Sequence, residues 1–368
     1  MISKPTIVFV INTLQRGGAE RVVSVLGNSL DQKAFRVIIV CMNEAEQAYE
    51  LSKSITIVHL LNRKKNENIT RRIFYGLTTY YRLVRLLNKE KPQCVISFMT
   101  SANLWTGLSC NLLRIPYIVS ERTTPEHTVN KFGFVFKWLS YIIYRKSKAI
   151  VIPSKGIEEC MKQNKVFQNL KNYKVIRNPI NTFELSLNSK VHHRKFILGV
   201  GRLGYEKGFD QLIRAFSGLS IDDIDLLIVG DGAEKQNLID LIAKLKLQDR
   251  VYLVGAKNEL LDYYQQTDLF VLPSRNEGYP NALIEAMSIG CPCIAMNCEF
   301  GPSEIIKNGV NGILIENNNV HMLSKEIFKV LVNPIYKEKL SINARQIAQT
   351  NSLDVISSKW EELIRCKN

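Results

Sequence analysis

At 368 residues the chain exceeds a usual single domain and leads to an expectation of two domains of roughly 180 residues each. Its composition is that of an ordinary soluble globular protein, and no apolar run approaches the ~20 residues that a membrane-spanning helix needs. The formal charge of +15 is uneven: residues 1–180 hold 28 Lys and Arg against 11 Asp and Glu, while residues 181–368 hold 21 against 23, so the first half calls for an anionic partner, a membrane surface or a nucleic acid.

From the N-terminus, the strand-like run "TIVFVI" opens the chain without a signal-peptide cleavage pattern, and the expected location is the cytoplasm. "RVIIVCM", "ITIVHL", "CVISFM", "YIVSE", "AIVIPS" and "YKVIRNP" follow, alternating with helical patterns. Two of those helical patterns carry the excess charge. "RRIFYGLTTYYRLVRLLNKEKP", residues 71–92, is basic with a tyrosine-rich face and reads chiefly as a core helix whose cations snorkel to water. "NKFGFVFKWLSYIIYRKSK", residues 130–148, interleaves aromatics with Lys and Arg; it reads as an anchor in an anionic membrane interface, with "FGFVF" and Trp138 as the inserted groups.

The polar stretch "NPINTFELSLNSKVHHRK" separates a first domain at 1–180 from a second at 196–350, with a linker at 181–195. Beyond it come "FILGVG", "DLLIVG", "VYLVG", "LFVLPS", "PCIAM" and "GILIE". Continuous apolar strands between helices mean parallel sheets covered on both faces, so the expected fold class is α/β, with two doubly wound Rossmann-like domains facing a cleft. Ligands of such sheets gather outside the carboxyl ends of the strands, which makes that cleft the expected site. "DDID", residues 222–225, precedes its strand and reads as a solvated turn instead of an Asp-x-Asp metal pair. Cys291, Cys293 and Cys298 lack the second pair that a zinc site would want, and all eight cysteines read as reduced thiols, mostly buried. The last pattern, "LDVISSKWEELI" within 351–368, reads as a helix returning to the first domain.

Two stretches of the second half carry chemistry. "GVGRLGYEKGFDQLIRAF" passes from strand through a glycine-punctuated loop into a helix, and Arg202 with Lys207 in that loop suits a pyrophosphate; the same loop also reads as a turn with solvated cations. In "LFVLPSRNEGYPNALIEAM", Pro280 reads as the first residue of a helix. The N–H groups of Asn281, Ala282 and Leu283 then face outward at the positive end of the dipole, a ready anion site. Glu285, about 7.5 Å further along the axis, is placed to accept from the two hydroxyls of a ribose, and Glu277 before the helix to accept from whatever group a diphosphate carries. The plainer readings are a dipole-favoured carboxylate for Glu277 and a partner to a basic residue for Glu285.

"GGAERV", "GRLGYEKG" and "EGYPNALIEA", in that order and spread over essentially the whole chain, resemble glycosyltransferase family 4, retaining enzymes of the GT-B fold with a Glu-x7-Glu signature. The resemblance implies transfer of a sugar, a hexose or N-acetylhexosamine, from a nucleoside diphosphate to a hydroxyl with configuration retained. It implies that Gly17 and Gly18 let a ligand approach the first strand-to-helix turn, that Arg202 and Lys207 hold the donor diphosphate, that Glu277 faces the donor sugar and Glu285 the ribose, and that Ala256 and Lys257 lie where the base is contacted. No metal or other cofactor is expected, the nucleotide sugar being a substrate, most simply a UDP-sugar. "EFGPSEII", residues 299–306, resembles a variant found in bacterial enzymes that build lipid-linked oligosaccharides and surface polysaccharides such as capsule and lipopolysaccharide; as a plain turn it would have Ser303 as N-cap.

The expected partners are therefore a nucleotide sugar, a polyprenyl-diphosphate-linked glycan acceptor and an anionic membrane surface, with the protein peripheral at the inner face of the cytoplasmic membrane. One departure from the family stands out: where relatives place a histidine after a first-domain strand, "YIVSERTTPEH" has Arg122, with His127 five residues later. Glu121 and Glu126 are the nearest acids there, and neither has a motif supporting it as a nucleophile; the family resemblance itself implies a front-face route in which a donor phosphate oxygen accepts the acceptor's proton. Alternatives are a soluble transferase with a free-sugar or protein acceptor, a nucleotide-sugar 2-epimerase, whose acid and base residues are not found, and a basic nucleic-acid-binding module, for which no recognition signature is present and no nucleic acid is expected.

Overall fold

Val8, Phe9 and Val10 are fully buried on one short strand, which happens when a parallel strand is roofed by helices on both faces. The structure, a computed structural model, describes residues 4–33, 35–62, 68–180 and 189–366; the side chains of Ile69 and His127 are also outside the description, as is much of the linker read at 181–195. The described chain forms two compact units, Met1–Pro179 with Leu353–Asn368, and Ile180–Ser352.

In the first unit β1 (Thr6–Ile11), β2 (Arg36–Asn43), β3 (Thr56–Leu61), β4 (Cys94–Phe98), β5 (Tyr117–Ser120), β6 (Ala149–Ile152) and β7 (Tyr173–Val175) form one parallel sheet in the order β3-β2-β1-β4-β5-β6-β7. The second unit repeats the plan with β8 (Lys195–Val200), β9 (Ile224–Val229), β10 (Val251–Gly255), β11 (Leu269–Leu272), β12 (Cys293–Asn297) and β13 (Ile313–Glu316) in the order β10-β9-β8-β11-β12-β13. Strand order reverses between β1 and β4 and between β8 and β11, so each unit has a crevice at its carboxyl edge where ligands of this architecture bind.

The helix Leu353–Arg365 packs against the helix Gly18–Lys33, and its fully buried Trp360 stacks on Phe98 with ring centroids 5.8 Å apart. It completes the first unit's core beside Val22, Val23 and Leu26.

Helices Ile69–Glu90 and Phe134–Lys146 both pack against Thr100–Leu113. The second of them exposes Phe134, Val135, Phe136 and Trp138 by 56–84%. The first departs from the core reading: Thr79, Leu83 and Leu87 are buried, but Ile73, Phe74, Leu77 and Tyr81 are 62–66% exposed. Two apolar rows at i, i+4, i+8 run along this helix, and only one can face the sheet.

Candidate active site

Beyond the carboxyl ends of β8 and β9 the backbone remains paired. Gly201 N–H donates to Val229 O at 3.0 Å, Leu203 N–H to Asp231 O at 2.9 Å, and Gly230 N–H to Gly255 O at 3.0 Å. A Cβ on Gly230 would lie 1.8 Å from Gly201 O, so glycine is required there. The chain then makes a short 3-10 turn, Tyr205–Lys207, and Gly208 takes a φ of 65° against Pro273 O before the helix Phe209–Ser217 starts. These contacts fasten the 201–208 loop to the loop that follows β11.

That second loop is braced further. Arg275 grips Asp210 with two bonds of 2.7 Å, its N–H donates to Glu206 O at 2.8 Å, and Gln211 Nε2 donates to Pro273 O at 3.3 Å. At the centre, Lys207 Nζ donates to Glu277 Oε1 at 2.7 Å and Ser274 Oγ donates to the same oxygen at 2.7 Å. Glu277 is buried and Lys207 is about a quarter exposed. The two residues read from sequence as holding different parts of one ligand thus hold each other, across neighbouring strands of the crevice. Arg202 is 73% exposed and pairs with Glu206 at 2.6 Å.

Pro280 is the N-cap, and the helix runs Asn281–Ile289, one residue later than the sequence reading; a ψ of 107° keeps Pro280 outside the helix. The first intrahelical bond is from Ile284 N–H to Pro280 O, and no side chain of the cap residue covers the start. Asn281, Ala282 and Leu283 therefore form the first turn, beside Glu277 in the chain. Glu285 turns inward: it is 3% exposed and accepts from Tyr264 Oη at 3.2 Å. Ala256 and Lys257 follow β10 at the same carboxyl edge, half-buried and exposed respectively.

Gly301, with a φ of 91°, packs against Pro280 and Gly278, which sets the 299–306 turn beside the Glu277 loop. Its helix is Pro302–Ile305 with Gly301 as N-cap, not Ser303, because Pro302 suits the first helical position.

Gly17, Gly18, Glu121 and Glu126 belong to the first unit. Gly17 and Gly18 stand at the start of the helix Gly18–Lys33, where Arg21 N–H donates to Gly17 O at 3.1 Å; a Cβ on Gly17 would meet the movable Glu20 carboxylate at 2.1 Å, and Tyr49 Oη bonds both the N–H and the carbonyl of Gly17. Glu126 is exposed, and the His127 side chain is outside the described residues. Glu121 is buried, accepts from Tyr144, from Asn103 at 2.9 Å and from Thr100 at 3.1 Å, and burial pushes its pKa up to about 7.

Asp222 and Asp223 are exposed ahead of β9, as the solvated-turn reading of 222–225 has it, but Asp225 departs from it: it is fully buried in β9, with His192 at 2.7 Å, Arg194 at 3.2 Å and Arg250 at 3.8 Å. This knot sits at the amino end of the strand, away from the crevice. Cys291, Cys293 and Cys298 are buried free thiols, and burial pushes that of Cys298 up to about 12. Ser274, Tyr264 and the Arg275–Asp210 brace were not read from sequence; Arg275 stands in the same "SRNEG" stretch, but its partner is 65 positions away.

A family model described as "Glycosyl transferases group 1" matches residues 184–347, and one described as "Glycosyltransferase Family 4" matches residues 16–183. The N-acetylgalactosamine-N,N'-diacetylbacillosaminyl-diphospho-undecaprenol 4-alpha-N-acetylgalactosaminyltransferase of Campylobacter jejuni is 30% identical, over 91% of this chain and 93% of that protein. The UDP-Gal:alpha-D-GlcNAc-diphosphoundecaprenol alpha-1,3-galactosyltransferase of Escherichia coli is 26% identical, over 85% and 84%. Among solved structures, sucrose-phosphate synthase from Thermosynechococcus elongatus superposes with a TM-score of 0.82 at 19% identity, covering 98% of each chain, a likeness of GT-B fold.

Proposed function

The chain belongs to glycosyltransferase family 4, and on that footing we propose that it transfers a hexose or N-acetylhexosamine from a nucleoside diphosphate, UDP in the simplest case, to a polyprenyl-diphosphate-linked glycan. The observation that carries this is the meeting of Lys207, Glu277 and the start of Asn281–Ile289 at the switch point of the second sheet. The acceptor class is supported by two relatives whose names specify diphospho-undecaprenol acceptors, and the UDP donor by the one named for UDP-Gal.

The mechanism follows from charge. Breaking the anomeric bond develops negative charge on the leaving diphosphate, which Lys207, Arg202 and the first-turn N–H groups stabilise. Binding of the diphosphate draws Lys207 from Glu277, which frees that carboxylate to accept from hydroxyls of the sugar. Glu285 and Tyr264 hold the ribose end. The configuration is retained by a front-face route in which a donor phosphate oxygen takes the acceptor's proton, and no metal is required. The aromatic faces of the first unit, with its basic charge, seat the enzyme on the inner leaflet beside its acceptor.

The test is incorporation of label from a panel of radiolabelled nucleotide sugars into solvent-extractable lipid, with EDTA present. The expected outcome is lipid label from one donor at full rate. Release of one nucleoside diphosphate without lipid label would move the acceptor to water, and a rate restored only by magnesium would overturn the metal-free route.

A further inference from the structure

Three polar atoms of two adjacent residues are buried without a hydrogen-bond partner among the described residues: Nε and Nη2 of Arg122 and Oγ1 of Thr123. Nε–H and Nη2–H form the side-on fork of a guanidinium, the edge that grips two oxygens of one anion. The rest of the group is already committed. Nη1 donates to Asn178 Oδ1 at 2.5 Å, and the guanidinium carbon lies 4.8 Å from the centroid of the Phe98 ring. The neighbouring Glu121 spends its carboxylate on Thr100, Asn103 and Tyr144, and no carboxylate of the described residues pairs with Arg122.

Burying a cation with its best donors unused is unfavourable unless something fills them. A thiol, an amide or a water would not neutralise the charge; an oxyanion does. The adjoining Thr123 hydroxyl makes a third donor, which suits the several oxygens of a tetrahedral phosphate better than the two of a carboxylate. The position agrees. Arg122 and Thr123 follow β5 at its carboxyl end, next to β4, whose successor Met99 holds a φ of 76° while its N–H bonds Ser120 O. Strained backbone at the carboxyl edge of an open parallel sheet marks a place shaped for a ligand.

We propose that Arg122 and Thr123 form an oxyanion site in the first unit that takes a phosphate group of a substrate, from the acceptor's diphosphate or from the donor's. The identity of that substrate rests on the reaction proposed above; the phosphate chemistry does not. Arg122 stays charged at neutral pH, because burial lowers its pKa only to about 9 while Glu121 nearby raises it.

Inorganic pyrophosphate, titrated calorimetrically into the full chain, tests the site without any sugar substrate. The expected result is pyrophosphate binding that Arg122→Gln removes or weakens at least about tenfold; a titration unchanged by Arg122→Gln overturns the proposal. Steady-state kinetics then name the source. A rise of about tenfold or more in the acceptor's KM alone assigns the phosphate to the acceptor, the same rise in the donor's KM alone assigns it to the donor, and no change in either overturns the proposal. Arg122→Lys keeps the charge but loses the fork and is expected to fall between. If Arg122→Gln does not fold, Thr123→Val carries the test, with an expected rise of about two- to fivefold in the same KM and no rise overturning it. Failure of transfer to every lipid acceptor would remove the reaction proposed above and leave the pyrophosphate result standing.

Discussion

Lys207 and Glu277 stabilise each other at 2.7 Å in a place where neither could be left alone cheaply. Lys207→Ala should lower transfer by at least about a hundredfold and also depress the unfolding temperature, because Glu277 stays buried without its cation, keeping only the Ser274 bond among the described residues. Lys207→Ala with Glu277→Ala should recover much of the stability and none of the activity, which thermal unfolding and the transfer assay separate. Glu121 gives a pH signature of its own. Its folded pKa, raised by burial from about 4.5 to about 7, makes the folded state the better proton binder, so its stabilising contribution is complete below about pH 4.5 and is lost as pH rises through 7. Denaturant titrations at pH 5 and pH 8 should show Glu121→Gln removing about 1–3 kcal/mol of that dependence; equal slopes in both proteins would refute it. The loops of the candidate site were legible because glycines, a proline and two glutamates stand close together in sequence. Arg275 with Asp210, and Tyr264 with Glu285, were not, since a pairing made across separate loops leaves no mark on either stretch.

The strands announced themselves through continuous apolar runs, and the glycine loop through its spacing, whereas the helix Ile69–Glu90 did not declare which of its two apolar rows faces water. Its row Ile73, Leu77 and Tyr81, with the aromatics of Phe134–Lys146, belongs to helices that both flank Thr100–Leu113. Flotation with anionic liposomes at low salt should carry the protein upward. Phe134→Ser with Trp138→Ser should abolish flotation and Ile73→Ser with Leu77→Ser should weaken it, each without loss of helical circular dichroism; flotation equal to wild type in both would refute the membrane face. The returning helix makes a stability prediction. Trp360→Ala should cost about 3–5 kcal/mol by opening a cavity against Phe98. Trp360→Phe should cost far less, since it also removes an indole N–H that has no partner among the described residues.

Across the whole molecule, charge is divided: the first half carries 28 basic residues against 11 acidic, and the second, with the Lys207 and Glu277 loops, is nearly neutral. Attraction to a lipid surface should therefore track the first unit and fade as ionic strength shortens the Debye length from about 10 Å at 0.1 M to about 3 Å at 1 M, which flotation across a salt series measures. Two units were legible from length and from two sets of strands. That the first unit is discontinuous was legible only as an amphipathic pattern late in the chain, because nothing in a helix names the partner it will meet. The discontinuity has a consequence during translation. Everything from Ile180 to Ser352 leaves the ribosome before Leu353–Arg365 does, and at about 5–20 residues per second this interval lasts roughly ten to thirty seconds. For that time the nascent first sheet has no Trp360 to cover Phe98, while the later-made second unit already has every residue of its own, so the order of completion runs against the order of synthesis.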